Sequence, residues 1–196
     1  MRKFLSISII ILSFGMLFTA CKVKQKQHDL SSQDSQSIIS ELLEDDEMST
    51  QLAKTWTINA VNYQADARKD VLYQRGETAN LRDYSKESFK LSPDGTVTYT
   101  DEGGDKHHGK WKLVDHNTKL KMVLEDKKEV FWDIIKTDKK TLVLHMSINA
   151  RKVKWDIQKI DDIDIPTAAV FAGFFAGIVD ENTQLVSITY QMSPRG

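Results

Sequence analysis

Between Trp56 and Ile160 apolar and polar residues alternate with a period of two, run after run, and few folds accept that pattern. Successive side chains of a strand point to opposite faces, so each run presents one face to a core and one to water. The inward sets are Trp56, Ile58 and Ala60; Phe89 and Leu91; Val97 and Tyr99; Trp111 and Leu113; Leu120, Met122 and Leu124; Val130, Trp132 and Ile134; Leu142, Leu144, Met146 and Ile148; Val153, Trp155 and Ile157. Short polar turns separate most of them, including Ser92-Pro93-Asp94-Gly95 and Gly103-Gly104. The spacing predicts an all-β domain of eight antiparallel strands, each with one apolar face. Rolling such a meander into an up-and-down barrel removes its edges.

Three stretches depart from the alternation. The connection from Gln64 to Lys86 is too long for a hairpin turn and reads as a lid or mobile loop. The run Val130 to Ile135 is apolar in both phases, since Phe131 and Ile135 join the inward set, and Val143 repeats this on the next strand. That outer wall needs a cover. The C-terminal extension offers one: Pro166 suits a first helical turn, and Ala168 to Val179 is continuously apolar. As a helix, that stretch spans roughly 18 Å, short of a hydrocarbon core of roughly 30 Å. The Gly173-x-x-x-Gly177 spacing lets its backbone approach a neighbour closely. Alternation at Val186, Ile188 and Tyr190 then predicts a final strand after the barrel.

The N-terminus has a different purpose. Arg2 and Lys3 precede an apolar stretch from Phe4 to Phe18, so residues 1–20 read as a cleavable export signal. Leu17-Phe18-Thr19-Ala20-Cys21 resembles the lipobox of bacterial lipoproteins. That resemblance implies a lipid on the Cys21 thiol and anchorage to a membrane. Cys21 is the only cysteine of the 196 residues, so no intramolecular disulfide competes for it. Lys22 follows it, rather than the aspartate that resembles an inner-membrane retention signal. The expectation is therefore an outer-membrane lipoprotein of the cell envelope facing the periplasm. Residues 21–50 then read as a polar tether with a short helix around Ile38 to Leu43, stopped by Glu44-Asp45-Asp46-Glu47. Residues 51–160 make the barrel, and 161–196 the helix and strand packed on it.

Three short motifs carry a second likeness. Leu52-Ala53-Lys54-Thr55-Trp56, Phe89 to Thr96 with its Asp94-Gly95-Thr96 turn, and Gly109-Lys110-Trp111 together resemble the lipocalin-like domains of Bacteroidota lipoproteins. Lys54 stands where those domains carry glycine. The likeness covers about residues 50 to 192 and implies a barrel that holds a small apolar molecule.

The residues themselves point to binding and not to catalysis. No nucleophile elbow, phosphate loop or His-Glu-x-x-His motif is present. Net charge is −1, which is no electrostatic footprint for nucleic acid. His107 and His108, with Glu102, Asp105 and His116 nearby, suggest a metal only superficially, because adjacent strand residues face opposite ways. Asp161, Asp162 and Asp164 lack the glycine and distal glutamate of a calcium loop. No metal and no cofactor is expected. Trp56, Tyr99, Trp111, Met122, Trp132 and Trp155 form the candidate lining for a small hydrophobic ligand. The competing expectation is a filled barrel that acts as an interaction lipoprotein, with the apolar C-terminal helix against a partner or the membrane interface.

Overall fold

Strand β1, Thr55–Ala65, is the seam around which everything else is arranged. The computed structural model describes residues 47–125, 129–153 and 165–195. Nine strands run in order: β1; β2, Arg68–Gln74; β3, Ser88–Leu91; β4, Thr96–Thr100; β5, Lys106–Val114; β6, Lys119–Leu124; β7, Glu129–Thr137; β8, Leu142–Asn149; and β9, Leu185–Pro194. All the pairings are antiparallel, the sheet order is β2-β1-β3-β4-β5-β6-β7-β8-β9, and β1 also pairs with β9. The wall thus closes through β1, β3 and onward to β9: an eight-stranded antiparallel barrel, with β2 as a flap on the upper half of β1. Closure leaves no free edge in that wall.

The barrel closes with a different last stave from the one the alternation suggested. The place beside β8 belongs to β9, which pairs along Leu185 to Met192 on that side and along Val186 to Pro194 with β1 on the other. Val186, Ile188, Tyr190 and Met192 all point inward from it. Ala150–Lys152 is a 3-10 turn, so β8 ends before Val153; Trp155 and Ile157 lie outside the described residues. A ten-residue strand reaching both neighbours satisfies two ladders at once, which makes it the closing strand.

The long first connection is only partly a loop. Its first third is β2, joined to β1 by a turn at Asp66 and Ala67 with Asp66 at φ 50. The alternation failed to reveal β2 because a register shift at Val61/Asn62 buries Leu72 and Tyr73 in succession. A second shift between Ile58 and Ala60 switches the inward phase of β1 from Trp56 and Ile58 to Val61, Tyr63 and Ala65. The rest, residues 75–87, is pinned rather than loose. Arg75 donates through Nε and Nη2 to the Ile58 carbonyl, Arg82 is paired with Glu102, and Tyr84 is buried.

One end of the barrel, where β1 begins, is shut by α1, of which residues 47–52 are described. In this helical segment Leu52 is fully buried and its carbonyl accepts a 2.9 Å bond from Trp56 Nε1. Residues 1–46, including Cys21 and the expected helix around Ile38, lie outside the described residues. At this same end the three motifs find their physical meaning. The Asp94 carboxylate caps its turn by accepting from Thr96 N, and Trp111 donates from Nε1 to Ser92 O at 2.9 Å and from its backbone to Gly95 O.

Helix α2, Ile165–Phe175, plugs the opposite end. It does not cover the outer wall: Phe131 and Ile135 are 46% and 62% exposed. The helix goes instead to the end where β1 stops, because its most apolar face finds a ring there. Tyr63 donates to the Ala169 carbonyl at 3.0 Å, and its phenol lies against Gly173. A Cβ at Gly173 would sit 2.2 Å from Tyr63 Oη, so close approach at the first glycine of the pair is real. The helix then ends as a Schellman motif, with Ile178 N to Gly173 O at 2.8 Å and Gly177 N to Phe174 O at 2.9 Å. Gly173→Ala should lift α2 off the barrel end and lower the urea midpoint by about 1–3 kcal/mol of stability, the range for overpacking. Unchanged stability together with a retained Tyr63 bond would show that the contact is slack.

Candidate functional site

Glu87 stands two residues before Phe89 and four before Leu91, on the inward phase of β3 extended upward. It is 3% exposed. Tyr99 from β4 and Tyr190 from β9 both donate their hydroxyls to its Oε1, at 2.8 and 3.0 Å. Around it lies an aromatic layer: Phe89 touches Tyr99, Trp132 and Tyr190 at centroid separations of 5.0, 6.2 and 6.1 Å. Trp132 and Tyr190 are 5.0 Å apart, and Tyr84 reaches in from the 75–87 loop to 5.9 Å from Tyr190.

Two features of this packed layer are energetically costly. Trp132 is fully buried, yet its indole Nε1 has no hydrogen-bond partner among the described residues. Nearly all buried donors in folded proteins are paired, and an unpaired one costs about 1–3 kcal/mol. Burial also pushes the Glu87 carboxyl up to about 7, even though the two phenol bonds pull the other way and Arg82 offsets Glu102. Burial first, and the adjacent Glu87 second, raise the Tyr99 and Tyr190 phenols well above their usual range. The phenols therefore stay protonated donors.

The carboxyl makes stability pH-dependent. In the folded chain Glu87 keeps its proton up to about 7, against an ordinary 4.5, so the native state binds more protons between those values. Its contribution is full below the ordinary value and is lost as pH rises through the folded one, by about 3 kcal/mol at most. Glu87→Gln should keep an acceptor for both tyrosines and flatten that decline. Urea midpoints at pH 5 and pH 8 read it; a slope equal to the parent's would mean that Glu87 stays ionised throughout.

The expected lining residues are placed as follows. Trp132 and Met122 are fully buried, and Tyr99 is partly buried beside Glu87. Trp56 and Trp111 are buried at the α1 end, with their indole N–H groups spent on backbone carbonyls. Trp155 lies outside the described residues. Five of the six candidates thus belong to or pack on one connected core. Glu87 escaped the sequence reading because it closes the long connection. The signal was there in the Glu87, Phe89, Leu91 alternation, one step beyond the strand as drawn.

The outer surface carries two grooves. One of about 530 Å³ lies between the β1–β2 flap and β8–β9, lined by Asn62, Gln64, Lys69, His145, Ser187 and Thr189 among others. Another of about 570 Å³ is lined by Asn59, Arg75, Lys86 and Arg195 among others. None of the five described candidate lining residues borders either. Among the described residues no group of three or more His, Cys, Asp or Glu could hold a metal, and His107 is bonded to Asp101 at 3.1 Å while His108 meets Thr98. Asp161, Asp162 and Asp164 lie outside the described residues. No described helix is long and apolar enough to cross a membrane.

The described residues thus form a closed antiparallel barrel with an aromatic layer beside a buried acid. Among solved structures the chain is similar to a lipocalin-like protein from Bacteroides uniformis ATCC 8492, at 11% identity, over 48% of this chain and 88% of that one, with a TM-score of 0.31. No family model matches the chain, and no curated protein matches it. The barrel itself rests on its strand pairing.

Proposed function

We propose that this chain is an envelope-anchored binding module that takes a small, mainly apolar ligand into the half of the barrel around Glu87. The orphaned Trp132 Nε1 carries the reading: a fully buried donor with no acceptor is what a ligand-free site leaves behind. The surrounding rings supply an apolar wall with few, fixed polar groups, which is the usual make-up of small-molecule sites. Loop 75–87, with Tyr84 turned inward, is the segment that must yield for entry. Anchorage is the proposal built on Cys21: lipid on its thiol would hold the barrel at the outer membrane, facing the periplasm. Cys21→Ala should release the chain from membranes; continued salt-resistant sedimentation would mean a second anchor.

Native mass spectrometry of the intact chain, together with tryptophan fluorescence across a panel of fatty acids, alcohols, amines and terpenoids, tests the ligand. A co-purifying small molecule or a saturable emission change is the expected result. Neither signal would sink the carrier reading and leave its rival. That rival has its own observation: Phe175 is 63% exposed on the outer side of α2, and Phe131 and Ile135 stand bare on β7.

A further inference from the structure

We infer that the outer groove between Arg75, Lys86 and Arg195 binds a phosphate monoester as its dianion. The site lies outside the barrel and is independent of the ligand proposed for its interior. The groove exists because β1 changes partners along one side. There β2 pairs with it from Ala60 to Ala65, and β3 only from Thr55 to Thr57. Neither strand reaches Ile58 or Asn59, and Arg75 fills the step. Its backbone N–H donates to Asn59 O at 2.7 Å and its guanidinium to Ile58 O. The recess left beside it measures about 570 Å³.

Its charged lining has one sign. Arg75, Lys86 and Arg195 border the recess, and no aspartate or glutamate does. None of the three is in an ion pair with a described residue. Arg75 and Lys86 donate to carbonyls, which leaves their charges uncompensated. Arg195 is placed by its main chain, whose N–H donates to Thr55 O at 2.8 Å, and its side chain is exposed. Asp83 is the acid nearby. Bonds from Ser85 hold its carboxyl below the usual range, with Lys86 and Arg75 adding less, and it accepts from Ser85 N at 2.8 Å. Three cations beside that one acid leave a surplus of about two positive charges. A phosphate monoester carries about that charge at neutral pH, and a carboxylate about half of it. The hydroxyls of Thr57, Ser88 and Ser193 on the same lining suit phosphate oxygens, as does the planar fork of Arg195.

Amide NMR of the Cys21→Ala chain, which lacks the proposed lipid, reads the site directly. Methyl phosphate, methyl sulfate and acetate would each be titrated in at pH 8. Methyl phosphate should give saturable shifts centred on Arg75, Lys86 and Ser193 to Arg195. It should bind about tenfold more tightly than methyl sulfate, which has the same shape and one negative charge fewer. Arg195→Gln and Lys86→Gln should each weaken it about fivefold or more, and both side chains are exposed, so the rest of the spectrum should stay. Sedimentation with phosphatidylcholine vesicles, with and without phosphatidic acid, separates two sources of the phosphate. Binding that requires phosphatidic acid and is lost in Arg195→Gln assigns a lipid headgroup. Methyl phosphate binding without it assigns a soluble ester. Equal affinity for methyl phosphate and methyl sulfate, shifts centred elsewhere, or no shift at all overturns the inference. So does an affinity that neither variant changes.

Discussion

Gly109→Ala should cost the barrel about 3 kcal/mol or more and pull β5 away from β6. A Cβ at this position would sit 2.2 Å from the Val123 carbonyl oxygen and 2.8 Å from Leu124 Cα, both main-chain atoms of the facing strand. Overpacking typically costs about 1–3 kcal/mol when side chains can shift. Here the obstacle is backbone in a closed sheet, so relief requires separating β5 from β6, where the Glu125 N–H donates to the His108 carbonyl at 2.9 Å and Lys110 faces Val123. The loss extends to Trp111, whose indole and main-chain bonds to the Ser92–Gly95 turn depend on the course of β5. Chemical denaturation would read the stability, and amide exchange would show whether protection falls first on β5 and β6. A drop below about 0.5 kcal/mol, the scale of an ordinary surface change, would show that the strands separate freely at that point.

Trp132→Ala should lose about 3–5 kcal/mol, the usual range for emptying a large aromatic site. Trp132 is fully buried and bridges Phe89 and Tyr190, so its removal opens the centre of the aromatic layer. Trp132→Phe is the informative companion. Phenylalanine keeps a ring between the same neighbours and deletes the unpaired N–H, whose relief of about 1–3 kcal/mol offsets much of the lost area. The Phe variant should therefore lie within about 1 kcal/mol of the parent by urea unfolding, while binding of a ligand that accepts from Nε1 weakens. If Phe and Ala cost the same, the indole N–H is not a burden in the free chain, and the main support for a ligand in the barrel is lost.

The sequence spoke clearly wherever one residue decides which way another faces. Phe89 and Leu91, Val97, Trp111, Leu120 and Met122, Val130 and Trp132, and Leu142, Leu144, Met146 and Ile148 all face inward as their period of two requires. It failed where phase is broken. The bulges in β1 shift its inward set and bury Leu72 beside Tyr73, so β2 looked like a loop. Of the candidate site, the aromatic wall was legible and the acid at its centre was not. An isolated glutamate in a polar stretch resembles solvated surface until the partners that bury it are known.

Local rules alone therefore determined an all-β, antiparallel chain, its meander order and most of its inward residues. Those rules involve residues a few positions apart, where strand geometry and turn chemistry suffice. Tertiary structure decided which strand closes the barrel, where α2 goes and what surrounds Glu87. Each of these depends on partners far apart in sequence: Ala65 with Val186, Tyr63 with Ala169, and Glu87 with Tyr190. Period and propensity carry no information about such pairs. The choice among them belongs to shape, burial and the need to satisfy each hidden polar group.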